Sequence, residues 1–262
     1  MDFAELHCTS AFTFLTGASQ PEELVLQAWR QGYRALAITD DGSLAGVVRA
    51  YQARENLKKT LEDEGRTLDF RLIVGSHFRL HQDRGELRLV LLARDRQAYG
   101  EISTLITRGR RRAEKGHYRL HWQDLTRIDR NALCLWLPAG DDRDEHHAAL
   151  LKAHFGERLW LACELLQDRN DALHYRYCYQ LADRFGLAMT AANDVHYHRP
   201  ERQRLQELLT ALRLNTTVRD LGRRRFQNDQ RHLRGLDRLA GIYPPALLEE
   251  AAWIAEQCHF EM

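Results

Sequence analysis

Short apolar runs alternate along the chain with longer segments of amphipathic pattern. Seven of these runs are rich in apolar residues, as is typical of strands that are buried on both faces. One of them, residues 35–39, is followed directly by Asp40, Asp41 and Gly42, which favour a turn. We therefore predict seven strands, over residues 3–8, 35–39, 70–74, 87–93, 133–137, 158–165 and 187–192.

Segments with helical periodicity separate most of these strands. Residues 21–31 begin with Pro21, Glu22 and Glu23, which favour a first helical turn, and Gly186 gives a stop signal after residues 170–185. Further helices are predicted from Ser43 toward Lys59 and over residues 96–107, 145–155, 202–212 and 245–257. Residues 108–123 and 215–235 are predicted to be irregular.

The alternation of strands and helices predicts an α/β fold with about seven βα units around a parallel sheet. A length of 262 residues fits a βα barrel better than an open sheet. In such a barrel the working face lies at the carboxyl ends of the strands, so residues at those ends are the first candidates for function.

Composition places the chain among ordinary globular proteins, with 44% hydrophobic and 29% charged residues. We expect no membrane span, because no stretch reaches about 18 consecutive apolar residues. We also expect no signal peptide, because the N-terminus has no apolar core region. The five cysteines show irregular spacing and no CxxC pair. They predict reduced thiols in core positions and a cytoplasmic location.

Charge excludes one class of function for the chain as a whole. The formal net charge is +1, so no strongly basic nucleic-acid footprint covers the molecule. Only four of the 38 basic residues are lysines, and arginine suits bidentate contacts with phosphate. A local cluster of Arg108, Arg110, Arg111 and Arg112 is a candidate contact for nucleic acid or a partner. The alternative is a solvated surface segment.

Metal-ligating residue types follow several of the predicted strands. His7 ends the first strand, and Asp194 and His196 follow the seventh, where a spacing of two places both on one side. Imidazole nitrogens and carboxylate oxygens that converge at strand ends suit a divalent metal. The alternative for each residue alone is a hydrogen-bonded histidine, a turn or a helix cap. The other candidates at strand ends are Thr9, Asp40, Asp41 and His77.

Six segments of the sequence resemble a known family. They include ELHCTSAFTFLTGAS at residues 5–19, ALAITDD at 35–41 and ANDVHY at 192–197, together with residues 73–76, 89–94 and 204–217. In order and content they resemble the PHP (polymerase and histidinol phosphatase) domain of bacterial C-family DNA polymerases. The most similar branch is the error-prone one, the ImuC-type relatives of the polymerase III alpha subunit.

The resemblance implies a distorted seven-stranded (β/α)7 TIM-like barrel at the N-terminus of a longer polymerase. Residues 1–262 would form a single PHP domain, with the barrel over about 3–200 and a helical extension over about 201–262. The implied parent protein is a DNA-directed DNA polymerase that uses Mg in its own catalytic domain. The implied partners are the remaining polymerase domains, DNA through the full-length protein, the sliding clamp, ImuB and ImuA, and no membrane.

The resemblance also implies that part of the family's metal pocket survives. His7, Asp194 and His196 keep the ligand type of the family, and Asp41 and His77 are changed to residues that can still ligate. These five residues form the remnant of a pocket. With one position left open, His7, Asp194 and His196 are the alternative site for a single Zn or Mn.

Other ligand positions of the family are lost. They hold Thr9, Thr16, Arg88 and, near the fifth strand, Pro138 and Ala139. Affinity for a cation rests on the number and charge of its ligands, so we expect no assembled metal centre and no cofactor of this domain's own. We further expect Arg88 to neutralise Asp194 and Asp40 in place of a cation.

Three functions are compatible with these features. The first is a degenerate PHP domain with a structural and interaction role in a polymerase for DNA-damage-induced mutagenesis and translesion synthesis. The second is an active metal-dependent phosphoesterase or 3′–5′ proofreading exonuclease that uses His7, Asp41, His77, Asp194 and His196. The third is a free-standing DNA-binding module that uses residues 108–115.

Overall fold

A seven-stranded sheet lies at the centre of the molecule, with its strands arranged in chain order. The computed structural model describes residues 2–83 and 85–262. The strands are β1 (Ala4–Cys8), β2 (Ala35–Ile38), β3 (Arg71–Gln82), β4 (Gly85–Leu92), β5 (Leu133–Leu137), β6 (Leu159–Glu164) and β7 (Ala188–Ala192). All seven predicted strands are present, which confirms the α/β fold class.

The sheet curls until the segment after β7 meets β1. Cys8 and Val195 form a parallel bridge. The Val195 amide donates to the His7 carbonyl at 2.9 Å, and the Thr9 amide donates to the Val195 carbonyl at 2.7 Å. The predicted seven-stranded, TIM-like barrel is therefore confirmed, with a short seam between β1 and the end of β7.

One strand contradicts the prediction of a wholly parallel sheet. β3 continues past residue 74 to Gln82 and then pairs antiparallel with β4, which is also antiparallel to β5. Only two residues separate Gln82 from Gly85, and a parallel crossover needs a dozen or more. A Cβ at Gly75 would lie 2.7 Å from the Leu91 carbonyl oxygen, so glycine allows β3 to pass this point. The reversal brings the first half of β4 to the carboxyl ends of the other strands.

Nine α-helices pack around the sheet within the described residues. They are α1 (Pro21–Arg30), α2 (Val47–Asp63), α3 (Arg96–Arg111), α4 (Trp122–Ile128), α5 (Arg143–Phe155), α6 (Asp171–Phe185), α7 (Gln203–Arg213), α8 (Leu236–Ala240) and α9 (Pro245–Glu256). The helices predicted from the sequence are all present, although α2 begins at Val47 rather than near Ser43. α4 and α8 were not predicted.

The arginine-rich segment predicted to be irregular is partly helical. α3 continues to Arg111, and α4 begins at Trp122. A Cβ at Gly109 would lie 2.9 Å from Leu120 Cγ, so glycine lets the last turn of α3 approach the following loop. The prediction was wrong at both ends of this segment, because the buried Gly109 packs α3 against Leu120 and the helix continues to Arg111. Residues 215–235 are largely irregular as predicted, apart from a 3-10 turn over Arg219–Arg224.

Apolar burial is continuous from the barrel interior to the helices. β1, β2 and β5 are buried along their whole length. α9 packs against β7 and β1, so it covers the outside of the seam with Leu248, Ala251 and Ile254. All five cysteines are buried free thiols, which confirms their predicted core positions. None of the described helices is both long and apolar enough to cross a bilayer.

A fully buried arginine connects the C-terminal segment to the barrel seam. Arg234 Nη1 donates to the Leu165 carbonyl at 3.0 Å, and Nη2 donates to Asn193 Oδ1. Asn193 Nδ2 in turn donates to Glu5 Oε2 at 2.5 Å. Burial raises the pKa of Glu5, because an ionised carboxylate loses its hydration there. The chain Glu5–Asn193–Arg234 thus links β1, the end of β7 and residues 215–235.

Replacing Arg234 with methionine is expected to destabilise the domain. The Arg234→Met variant loses two hydrogen bonds from a buried cation and leaves the Asn193 oxygen without its charged donor. The free energy of unfolding, measured by urea denaturation, should fall by about 3 kcal/mol. Arg238→Met is the matched control, because Arg238 is exposed and bonds Gln167 at the surface. Equal stability of the two variants would contradict the role given to Arg234.

Candidate functional site

A polar pocket of about 260 Å³ opens at the carboxyl ends of the strands. Its lining includes His7 of β1, His77 of β3, Arg88 of β4 and Glu164 of β6. The residues after β7 complete it. This is the face where a βα barrel places its functional groups, and the reversed direction of β4 explains why Arg88, near its beginning, reaches the same pocket.

Asp194 is the centre of the pocket. Its Oδ1 accepts a hydrogen bond from His196 Nε2 at 3.0 Å and lies 3.7 Å from His7 Nε2. Its Oδ2 forms an ion pair with the guanidinium of Arg231. The Asp194 backbone is left-handed, with φ of 43°, a conformation that aspartate tolerates better than most residues. This turn after β7 aims the carboxylate into the pocket.

Arg231 was not identified from the sequence. It belongs to the irregular segment of residues 215–235, and its guanidinium stacks over the ring of Phe226 at 4.4 Å. The two side chains of the ion pair are only 19% and 21% exposed, so water screens the pair weakly. No periodicity in the sequence indicates that this loop folds back into the pocket.

His7 is held by Glu164, a second residue that sequence reasoning missed. His7 Nδ1 donates to Glu164 Oε1 at 2.7 Å. Burial opposes ionisation of Glu164, but the hydrogen bond and charge of His7 outweigh it and lower the pKa of Glu164 to about 2. A signal was available, because Glu164 is an acidic residue at the end of a buried strand. The bond turns His7 Nε2 toward Asp194.

Burial disfavours the charged forms of His77 and His196 in the pocket. Burial, with some repulsion from His7, lowers the pKa of His196 to about 4. Burial also lowers the pKa of His77 well below its usual value. The His77 ring packs edge-on against His7, with 5.2 Å between the centroids. Both histidines line the pocket at the strand ends.

The predicted role of Arg88 is wrong. Its Nη2 donates to the Pro138 carbonyl at 3.2 Å, and Arg231 takes the ion pair with Asp194. Asp40 has hydroxyl and amide partners instead of an arginine. Its carboxylate accepts from Ser10 N, Ser10 Oγ and Thr13 Oγ1, each at 2.8 Å. A short loop after β1 therefore satisfies Asp40 without help from β4.

Asp41 lies at the rim of the pocket, away from its centre. Its Oδ1 accepts from the Tyr118 hydroxyl at 2.5 Å, and its Oδ2 lies 3.6 Å from Arg79 Nη2. Thr16 Oγ1 accepts from Arg213 Nη1 at 3.0 Å. Thr9 has its amide in the barrel seam. The structure therefore gathers His7, His77, Asp194 and His196 around the centre and leaves Asp41 at the edge.

Three of the four clustered arginines make contacts within the domain. Arg112 and Arg108 lie 2.5 and 3.5 Å from the Asp124 carboxylate. Arg110 Nη2 donates to the Gly42 carbonyl at 3.0 Å. Arg111 is exposed at the end of α3. Contact of this cluster with nucleic acid or a partner stays a prediction.

The comparison with known sequences identifies the domain and its relatives. The PHP domain family matches residues 5–187. An error-prone DNA polymerase of Methylococcus capsulatus is 48% identical over 261 residues, which are 99% of this chain and 24% of the relative. An error-prone DNA polymerase of Pseudomonas aeruginosa is 45% identical over 260 residues, again with 99% and 24% coverage.

A solved structure of a metal-dependent phosphoesterase from Bifidobacterium adolescentis, described there as putative, is similar at a TM-score of 0.48 and 14% identity. That similarity covers 74% of this chain and 87% of that one. The present chain spans about a quarter of the length of its curated relatives. With a seven-stranded barrel and a family match over most of its length, the chain belongs to the PHP domain family.

Proposed function

We propose that this chain is the PHP domain of an error-prone DNA polymerase of the ImuC type, and that it acts in damage-induced mutagenesis and translesion synthesis. Its role is structural and interactive, and its pocket is held together by ion pairs instead of metal ions. Identity of 45–48% to error-prone DNA polymerases over almost the whole chain supports the first part. The arrangement of charges in the pocket supports the second.

The ion pair between Arg231 and Asp194 carries the proposal. Asp194 is a carboxylate that the family resemblance assigns to metal binding, and here it faces a guanidinium that is always charged. A second arginine, Arg88, lines the same pocket. A divalent cation at Asp194 Oδ1 would lie beside the guanidinium on Oδ2 and would place two cationic groups side by side in a weakly screened site.

The remaining donors support the same proposal. His7 Nδ1 is bound to Glu164 and His196 Nε2 is bound to Asp194, so both carboxylates already have partners. Among the described residues, His7 Nε2 is left buried without a hydrogen-bond partner. Hydrolysis of a phosphoester by a metal centre needs a bound water of lowered pKa and positive charge at the leaving oxygen. Arginine supplies charge but does not generate a metal-bound hydroxide. The domain therefore has the charge balance of the ancestral pocket without its chemistry.

One observation favours the second candidate, an active metal-dependent phosphoesterase or 3′–5′ exonuclease. His7 and His196 both face Asp194 Oδ1, at 3.7 and 3.0 Å, in a pocket open to solvent. Three such donors with an open position are the ligand set of a catalytic Zn or Mn. Asp41 would have to move from the rim to join them.

The partners proposed for the domain follow from the fraction of its relatives' length that it spans. The curated relatives are about four times as long as this chain, so the remaining domains of the same polymerase are its first partners. Through the full-length protein it would act with DNA and with Mg held by the polymerase domain. The sliding clamp, ImuB and ImuA are its further proposed partners, and its proposed location is the cytoplasm.

The pocket is expected to bind no catalytic metal. The chain, His7→Ala and His196→Ala are purified without chelator, and their metal contents are compared by elemental analysis. We expect the three contents to be equal and the turnover of a phosphodiester or a 3′-labelled oligonucleotide with Mn or Zn to stay at background. A metal content or a turnover that falls in either variant would establish the second candidate instead.

Arg231→Met is expected to destabilise the domain by leaving Asp194 without its cation. Since both side chains are partly exposed, the free energy of unfolding should fall by about 2 kcal/mol, less than for a fully buried pair. Arg88→Met is the matched control and should cost about 1 kcal/mol or less, because it loses one hydrogen bond to a carbonyl.

A double variant tests whether the two groups act together. In Arg231→Met/Asp194→Asn, no carboxylate charge is left unpaired, so its stability loss should be smaller than the sum of the two single losses. Urea denaturation of all four proteins gives the coupling energy. Additive losses would mean that the ion pair does not stabilise the pocket.

A further inference from the structure

A second group of metal-ligating side chains lies outside the barrel, between β6 and α6. Cys163 is on β6, and His174 and Cys178 are one turn apart on α6. Cys178 Sγ lies 3.6 Å from His174 Nε2, and one donor atom of each residue lies within 4.8 Å of the other two. In residues 2–83 and 85–262, no other set of three or more His, Cys, Asp or Glu meets this distance.

The composition of this cluster differs from that of the strand-end pocket. It offers two sulfurs and one imidazole nitrogen as possible metal ligands. Soft thiolate ligands together with imidazole select Zn²⁺ among the common divalent ions, whereas carboxylates and water suit Mg²⁺ and Mn²⁺. None of the residues that line the strand-end pocket belongs to this cluster.

Simple core packing does not account for the grouping. A buried free cysteine packs as a small apolar side chain and needs no polar neighbour. Cys134 and Cys258 are buried cysteines outside the cluster. Cys163 and Cys178 are also fully buried, yet they share their surroundings with each other and with His174, which is half-buried. The spacing of four between His174 and Cys178 places both donors on one face of α6, toward β6.

We propose that Cys163, His174 and Cys178 form a Zn²⁺ site that fastens α6 to the outer face of β6. Binding would form two Zn–S bonds and one Zn–N bond and would release two thiol protons to solvent. A water would be the fourth ligand of a tetrahedral site, on the partly exposed side of His174. The site is independent of the proposed function, because it uses none of the residues of the strand-end pocket.

The test is titration of the reduced, metal-free chain with Zn²⁺ and Co²⁺. We expect one Zn²⁺ per chain, a higher melting temperature with Zn²⁺, and a thiolate-to-cobalt charge-transfer band with Co²⁺. Cys163→Ser, Cys178→Ser and His174→Gln should each lose stoichiometric binding. The matched control is Cys134→Ser, because Cys134 is equally buried but lies on β5, and it should bind as the unaltered chain does.

Two further variants separate this site from the strand-end pocket. His7→Ala and His196→Ala should leave the cobalt band unchanged. Loss of stoichiometric Zn²⁺ binding in these variants alone would overturn the zinc site and would also count against the proposed function. Loss only in the cluster variants supports the zinc site and leaves the proposed function intact. Absence of binding, or unchanged binding in Cys163→Ser or Cys178→Ser, would overturn the inference.

A measurement on the unaltered chain covers the case in which a cluster variant fails to fold. Alkylation by N-ethylmaleimide with and without Zn²⁺ is read residue by residue by mass spectrometry. Zn²⁺ should protect Cys163 and Cys178 more strongly than Cys134. Equal protection of the three, or a disulfide between Cys163 and Cys178 that forms in place of metal binding, would contradict the proposal.

Discussion

The arrangement of the pocket depends on how the polar and charged side chains at the barrel seam find partners. β1 brings Glu5 and His7 to one side of the seam, two residues apart, and the segment after β7 brings Asn193 and Asp194. These polar groups would be costly to bury alone. The irregular segment of residues 215–235 supplies the partners of these groups. Arg231 pairs with Asp194, and Arg234 donates to Asn193, which donates to Glu5. Two arginines three positions apart thus bind the polar side chains on both sides of the seam.

This constraint explains why residues 215–235 are ordered despite their lack of regular structure. The backbone of the segment also pairs with the barrel, since the His196 amide donates to the Arg231 carbonyl at 2.9 Å. Phe226 covers the Arg231 guanidinium and packs edge-on against His196, with 5.1 Å between ring centroids. The segment is therefore a wall of the pocket, and the fold of the pocket and the fold of the C-terminal region are coupled.

Most of the fold could be predicted from the sequence, because seven apolar runs and their helices give strong local signals. The direction of β4 could not be predicted from those signals, since a strand has the same apolar pattern in either direction. The prediction also ended the third strand at residue 74, so the two-residue turn between Gln82 and Gly85, which requires a hairpin, was not visible. Periodicity likewise failed for α4, a helix of seven residues that depends on Asp124 and its arginine partners.

The site was predicted in part, because strand ends can be read from the sequence but side-chain partners and loop paths cannot. His7, Asp194 and His196 end strands, so a barrel brings them together whatever the rest of the chain does. Arg88 was placed correctly in the pocket but given the wrong partner, because its reach depends on side-chain geometry. Arg231 comes from a loop without periodicity, so its place in the pocket could not be predicted.

The role of Arg231 follows from the proposed loss of metal. A guanidinium carried by the chain itself is charged throughout the physiological pH range and does not depend on metal supply. A pocket whose carboxylate is paired with Arg231 needs no bound ion to balance its charge, which suits the structural role proposed above.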